Sequence, residues 1–210
     1  MKIYGIPGWG CTNQYFNFID GAITFDWNFY SPNNTDPKKF IQEIKEDFIF
    51  ICYSTGSLFI SDAVKNSHCK GVISLSGFIN FCGDGKLRAV LQERIKRMQL
   101  DLKNNPLKTV QAFNSQAQSP LPTDESTPAF VNLNSGLNLL KDCDQHELQC
   151  SVPTLLIRGR KDTILHPKVA VQLERHLPNA EKYCIDQAPH DLSHSKEVRE
   201  YITQFISKYS

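Results

Sequence analysis

The sequence lacks three features that would assign it to a class at once: a long apolar run, a strong charge of one sign and a paired cysteine pattern. No apolar run approaches the roughly 20 residues that span a bilayer, so we expect no membrane association. The formal net charge is only +1, which predicts no binding to nucleic acid. The first residues also lack the apolar core of a signal peptide.

The 7 cysteines fit neither a disulfide framework nor a zinc motif. Their number is odd, no C-x-x-C pair occurs, and several lie within apolar runs. Cysteines of this kind are typical of reduced, buried thiols in a cytosolic protein. We therefore expect a cytoplasmic protein with no metal site and no cofactor.

Apolar segments that predict strands alternate with amphipathic segments that predict helices. The predicted strands are 2–6, 22–27, 47–53, 71–75, 152–159 and 180–186. The predicted helices outside the central region are 37–46, a helix that follows the Ser54 turn and ends at about 66, 167–177 and 195–208. Such alternation predicts the α/β class, with a mostly parallel sheet of about six strands and helices on both faces.

The alternation stops between residues 77 and 150, where only helices and a proline-rich loop are predicted. The helices are expected at 86–104, 109–118 and 132–144, and the loop at 118–128. The stretch is far longer than an ordinary connection between strands. We therefore expect a core formed by 1–76 and 151–210, with 77–150 inserted as a helical cap.

Reactive side chains follow three of the predicted strands. Ser54 directly follows the buried run 48–53. Asp162 follows the strand that ends at Gly159, and His190 follows the strand that ends near Asp186. Reactive groups collect at the carboxyl ends of strands in open α/β sheets. The chain order Ser, Asp, His is the order of the α/β-hydrolase triad, and Ser54 lies in a turn similar to the G-x-S-x-G nucleophile elbow.

Four segments together resemble the α/β-hydrolase superfamily. They are Pro-Gly-Trp-Gly at 7–10, Tyr-Ser-Thr-Gly at 53–56, Ile-Arg-Gly-Arg-Lys-Asp at 157–162 with His-Pro at 166–167, and Ala-Pro-His at 188–190. Within that superfamily, the Gly-Trp-Gly loop, the small size and the helical cap resemble the pimeloyl-[acyl-carrier-protein] methyl ester esterases of biotin synthesis.

The resemblance implies a serine carboxylesterase with a defined set of site residues. Ser54 would attack the ester carbonyl, His190 would act as the base, and Asp162 would orient His190. The backbone N–H groups of Trp9 and Thr55 would form the oxyanion hole. The implied substrate is the methyl ester of a pimeloyl group carried by acyl-carrier protein.

Several readings stay open at the level of the sequence. Asp186 is a rival acid and His194 a rival base, while Trp9 is either a core residue or part of an acyl pocket. Cys52 stands where the elbow motif has its first glycine. We interpret this cysteine as a packing residue and not as a redox-active thiol. The chain also has Pro-Gly before Trp9 where the family usually has His-Gly, and no counterpart of the two strands that usually precede this loop.

The predicted cap helix carries a local excess of positive charge. Seven basic residues lie between 86 and 108, against two acidic ones. The excess is either an ordinary solvated helix face or a docking face for the acidic acyl-carrier protein, with Arg88, Arg94 and Arg97 as candidates. The alternative functions are hydrolysis of another small ester, a thioester or a lactone, and non-catalytic binding of a partner or small ligand.

Overall fold

The computed structural model describes residues 1–29, 35–119 and 128–209. Most of the predicted proline-rich loop at 118–128 lies outside these residues. Six strands form one sheet in the order β2-β1-β3-β4-β5-β6, and every neighbouring pair is parallel. The strands are β1 (Lys2–Ile6), β2 (Ala22–Thr24), β3 (Phe48–Tyr53), β4 (Cys69–Leu75), β5 (Thr154–Gly159) and β6 (Glu181–Ile185).

Helices lie in each connection from β2 to β6 and after β6. They are α1 (Pro37–Gln42), a 3₁₀ helix (Ser54–Phe59), α2 (Ile60–Lys65), α3 (Gly85–Asn104), α4 (Pro106–Ala117), α5 (Phe130–Asp142), α6 (Pro167–Ala170), α7 (Gln172–His176) and α8 (Lys196–Tyr209). The predicted α/β class and the count of about six strands are therefore confirmed. Within the described residues no helix is long and apolar enough to cross a membrane.

The sheet is buried on both faces because its strands alternate between two apolar cores. In β3, Phe48, Phe50 and Cys52 belong to one core. Ile49 and Ile51, on the opposite face of the same strand, belong to the second core, which includes one side of α8. A parallel sheet covered on both faces explains why this strand reads as an unbroken apolar run.

The helices α3, α4 and α5 lie between β4 and β5 in the chain and pack onto the first core. Leu91 and Ile95 of α3, Val110 of α4 and Leu137 of α5 are buried in the same cluster as the strand residues of that face. The inserted helices therefore share a core with the sheet, and the division at residues 77 and 150 stays a prediction.

Some predicted elements differ from the structure, and one is the helix expected at 37–46, which ends at Gln42. The second strand was expected to run from 22 to 27 but ends at Thr24, because the chain then turns inward and buries Phe25 and Trp27. The Trp27 indole N–H donates to the Pro7 carbonyl oxygen at 2.8 Å, which fixes this turn. The helix expected at 167–177 is two short helices that are divided at Val171.

Candidate active site

The loops that follow five neighbouring strands meet at one edge of the sheet. In sheet order these strands are β1, β3, β4, β5 and β6, and all run in the same direction. The loop after β1 carries Trp9, and the segment after β3 begins with Ser54. Asp162 and His190 follow β5 and β6. The carboxyl edge of the sheet thus brings the predicted site residues together.

Ser54 begins the turn between β3 and the 3₁₀ helix in a strained backbone conformation. Its φ is +49°, in the left-handed region that residues with a side chain rarely adopt. A Cβ atom on Gly56, two residues later, would collide with the carbonyl oxygen of Ile6 in β1. The turn is therefore sharp, and it passes so close to β1 that glycine is required.

Ser54, His190 and Asp162 form a continuous chain of hydrogen bonds. His190 Nε2 lies 2.9 Å from Ser54 Oγ, and His190 Nδ1 lies 2.7 Å from Asp162 Oδ2. A carboxylate can only accept, so the proton of the neutral imidazole sits on Nδ1. This leaves Nε2 as an acceptor for the Ser54 hydroxyl proton.

The other oxygen of Asp162 is held by the backbone. Asp162 Oδ1 accepts from the N–H groups of Ile164 at 2.8 Å and Leu165 at 3.0 Å. Burial by itself raises the pKa of the Asp162 carboxyl, but the His190 hydrogen bond and charge and these two N–H groups outweigh it, so the pKa is lowered. The carboxylate is therefore ionised and fixed in orientation.

Ser76 fixes His190 from the end of β4, and the sequence analysis missed this residue. The Ser76 hydroxyl donates to the His190 carbonyl oxygen at 2.7 Å, and Ser76 is fully buried. Its φ of +47° is again in the left-handed region. A polar residue directly after a buried strand was the signal that could have identified it.

The two predicted oxyanion-hole residues lie next to each other. The backbone N–H of Trp9 donates to Thr55 Oγ1 at 3.3 Å, and both residues are buried. A Cβ atom on Gly8 would lie 3.2 Å from Ser54 Cβ, so the loop after β1 runs directly against the serine. The loop that carries Trp9 thus lies against Ser54, and the Trp9 N–H is bonded to the Thr55 hydroxyl oxygen in this structure.

The Trp9 side chain connects this loop to the inserted helices. Its indole N–H donates to the Leu133 carbonyl oxygen of α5 at 2.8 Å. Its ring meets the Phe113 ring of α4 edge-on, with centroids 5.0 Å apart. Only 1% of Trp9 is exposed, so the side chain is a core residue in this structure.

Neither rival residue lies in the site. The Asp186 carboxylate is exposed and pairs with Arg160, whose Nε lies 2.6 Å from Asp186 Oδ1. His194 is exposed, whereas His190 is fully buried. Cys52 is also fully buried, and burial raises the pKa of its thiol to about 12, so the thiol stays protonated at neutral pH.

The three candidate arginines of α3 differ in their surroundings. Arg88 faces the end of α5, where its guanidinium lies 3.6 Å from Asp144 Oδ2. Arg94 and Arg97 lie three residues apart on the exposed face of the helix, and Arg97 is 3.8 Å from Glu93. The structure therefore places Arg94 and Arg97 together and Arg88 apart from them.

Relatives of the chain are hydrolases. A family model described as serine aminopeptidase S33 matches residues 25–197. A pimeloyl-[acyl-carrier protein] methyl ester esterase of Legionella pneumophila (strain Corby) is 23% identical over 96% of this chain and 81% of its own length. An enzyme of the same name from Vibrio atlanticus (strain LGP32) is 40% identical over 73 residues, which are 34% of this chain and 26% of the relative.

Solved structures share the fold at low sequence identity. A bromoperoxidase from Bacillus anthracis superposes with a TM-score of 0.78 at 14% identity, over 98% of this chain and 92% of the other. An esterase from Exiguobacterium antarcticum superposes with a TM-score of 0.75 at 13% identity, over 100% of this chain and 91% of the esterase chain. Because the family model matches most of the chain and the fold agrees, the protein belongs to the Hydrolase_4 family of α/β-hydrolases.

Proposed function

We propose that the protein is a serine carboxylesterase with Ser54 as its nucleophile. The observation that carries this proposal is the chain of hydrogen bonds from Ser54 through His190 to Asp162, with 2.9 Å and 2.7 Å between the bonded atoms. A serine that is bonded to an imidazole, which is itself oriented by a carboxylate, is the arrangement of an activated nucleophile.

The proposed reaction has two steps. Ser54 Oγ attacks the ester carbonyl while His190 Nε2 takes its proton. The Thr55 N–H and the Trp9 N–H, which leaves Thr55 Oγ1 when the ester binds, stabilise the oxyanion. His190 then gives the proton to the leaving alkoxide, which departs as the alcohol and leaves an acyl group on Ser54. Water attacks this acyl-enzyme with the same proton transfers and releases the free acid.

The finer proposal concerns the substrate, which we infer to be the methyl ester of a pimeloyl group on acyl-carrier protein. The names of the curated relatives support this substrate. The exposed pair Arg94 and Arg97 supports the docking of an acidic carrier, with the exposed apolar side chains of Val90 and Leu100 beside it. We also propose a cytoplasmic location, consistent with seven cysteines that form no disulfide.

A groove between α3 and α4 supports a long substrate. Its volume is about 520 Å³. Phe113 in its wall packs against Trp9, and Gln116 donates to the Thr163 carbonyl oxygen at 3.2 Å. The groove therefore borders the loops that carry the site residues, and we propose that the arm of a carrier-bound ester lies along it.

Hydrolysis of p-nitrophenyl butyrate tests the general proposal. We expect Ser54→Ala to lower kcat by roughly 10⁴ or more, because the nucleophile is lost. Ser67→Ala is the matched control, since Ser67 is an exposed serine in the loop after α2. Full activity in Ser54→Ala would refute the esterase assignment.

Cleavage of pimeloyl-carrier methyl ester, read by mass, tests the finer proposal. We expect Arg94→Glu to lower kcat/KM about tenfold at low salt, with little change for p-nitrophenyl butyrate, because charge at a docking face mainly changes association. Lys196→Glu makes the same change in net charge on α8, on the opposite face of the sheet. Equal losses in both variants would contradict a docking role for Arg94.

A further inference from the structure

A second group of buried side chains lies beside the proposed triad and takes no part in the mechanism above. Tyr53 precedes the nucleophile Ser54, and Asp191 follows the base His190. Tyr15, from the segment between β1 and β2, lies between these two side chains. Tyr53 is 2% and Asp191 3% exposed, so both are in the interior.

Asp191 is the junction of three parts of the fold. Its Oδ1 accepts from the Tyr15 hydroxyl at 3.3 Å and from the backbone N–H of Ser193 at 2.8 Å. Its own backbone N–H donates to the carbonyl oxygen of Ala117, the last residue of α4, at 3.1 Å. The segment after β1, the His190 loop and an inserted helix are thus all bonded to one residue.

Tyr15 joins this junction to the nucleophile turn. Its ring stacks on the Tyr53 ring, with centroids 4.3 Å apart and planes 8° from parallel. The Tyr53 ring in turn lies 5.2 Å from the His190 ring. Stacking of this kind fixes both the separation and the tilt of the two rings. A shift of Asp191 would therefore move Tyr15 and, through the stacked rings, Tyr53, the residue before Ser54.

The Tyr15–Asp191 bond has a fixed direction. Burial raises the pKa of Tyr15 well above its usual value, and the nearby groups Tyr53, Asp191 and Cys11 add to the effect. The Tyr15 hydroxyl therefore keeps its proton and donates to Asp191. Among the described residues, Asp191 Oδ2 has no hydrogen-bond partner. Both hydrogen bonds to the Asp191 side chain described above are therefore made at Oδ1.

We propose that Tyr15 and Asp191 are positioning residues that hold the Ser54 turn and the His190 loop in register. The Tyr15–Asp191 bond fixes the peptide after His190, while the stack on Tyr53 fixes the residue before Ser54. Together they set the separation between His190 Nε2 and Ser54 Oγ. This inference rests on the proposed esterase function, because it assigns the two side chains a part in the same reaction.

Tyr15→Phe tests the proposal, with Tyr201→Phe as the matched control. Tyr201 also stacks on a tyrosine and donates to a carboxylate, but it is half-buried on α8. We expect Tyr15→Phe to lower kcat for p-nitrophenyl butyrate about tenfold with KM unchanged, because small misplacements of reacting groups are costly. The rate is expressed per Ser54 that a fluorophosphonate labels, so a loss of folded protein does not lower it. The same kcat in both variants would overturn the proposal.

Replacements of Asp191 separate positioning from charge. Asp191→Asn keeps an acceptor for Tyr15 and Ser193 and is expected to retain kcat to within about threefold, whereas Asp191→Ala loses about tenfold. An Asn variant as slow as the Ala variant would show that the charge acts instead, against the proposal. If Tyr15→Phe does not fold, the comparison of Asp191→Asn with Asp191→Ala still tests the positioning role.

A measurement without turnover distinguishes failure of the inference from failure of the esterase proposal. The proton of His190 Nδ1, bonded to Asp162, is expected to give a low-field NMR signal. We expect Tyr15→Phe to shift or broaden this signal and Tyr201→Phe to leave it unchanged. An unchanged signal in Tyr15→Phe would refute the positioning role, whereas a wild-type protein without esterase activity would refute only the proposed function.

Discussion

Asp162→Asn changes one oxygen of the proposed triad to an amide nitrogen and tests the tautomer of His190. The Asn Oδ1 can still accept from the backbone N–H groups of Ile164 and Leu165, which bond Asp162 Oδ1 at 2.8 Å and 3.0 Å. The new amide NH₂ then faces His190 Nδ1, where Asp162 Oδ2 stood at 2.7 Å. Because an amide NH₂ only donates, His190 Nδ1 must become the acceptor.

The expected loss follows from that reversal. With its proton moved to Nε2, His190 donates to Ser54 Oγ and can no longer take the serine proton. The same replacement in a serine protease lowers kcat by roughly 10⁴. At about 1.36 kcal/mol for each factor of ten, this is about 5.4 kcal/mol of transition-state stabilisation. We expect a similar loss here, because His190 is fully buried and Ser54 almost fully buried.

The assay is hydrolysis of p-nitrophenyl butyrate by Asp162→Asn and by the matched control Asp186→Asn. Asp186 is the acid that the sequence left open as a rival to Asp162, but its side chain is 73% exposed and pairs with Arg160. We expect Asp186→Asn to change kcat by less than about twofold. An Asp162→Asn variant with a kcat near that of the control would refute the role of Asp162.

Two further predictions concern stability. Cys52→Gly, which restores the glycine of the elbow motif, is expected to lower the free energy of unfolding by about 1–3 kcal/mol, because it empties a fully buried position and adds backbone freedom. Thermal denaturation measures this loss of stability. The kcat per folded molecule should stay within about twofold of wild type. A Cys52→Gly variant as stable as wild type would contradict a packing role for Cys52. The lowered pKa of Asp162 means that its carboxylate binds a proton less well when folded than when unfolded. The free energy of unfolding should therefore fall as the pH drops below about 5, and it should fall less steeply in Asp162→Asn; identical slopes in urea denaturation across this range would contradict the pKa direction.

The sequence was sufficient to predict the sheet and three of its loops because those features depend on local patterns. Buried parallel strands produce unbroken apolar runs, and Ser54, Asp162 and His190 each follow such a run directly. Parallel strand ends meet at one edge, so placing each residue after a strand was enough to bring them together. The strand from 22 onward was predicted too long, since aromatic residues favour strands and the inward turn after Thr24 depends on tertiary contacts.

Contacts between distant segments were beyond the sequence patterns. Tyr15 and Asp191 are 176 positions apart, and no periodicity relates them. The contact between Arg88 of α3 and Asp144, which follows α5, likewise joins segments that no periodicity relates. The sequence of 77–150 predicted helices and no strands, and this pattern does not reveal that those helices share one core with the sheet.

The most direct test of the central proposal is the site of covalent labelling by a fluorophosphonate, identified by mass spectrometry of peptides. The buried chain from Ser54 to His190 to Asp162 predicts a single adduct on Ser54, formed quickly in wild-type protein and in Asp186→Asn. Labelling should be slowed by orders of magnitude in His190→Ala, because the base is absent. An adduct on another residue, or equal labelling rates in wild type and His190→Ala, would contradict the proposal that Ser54 is the nucleophile.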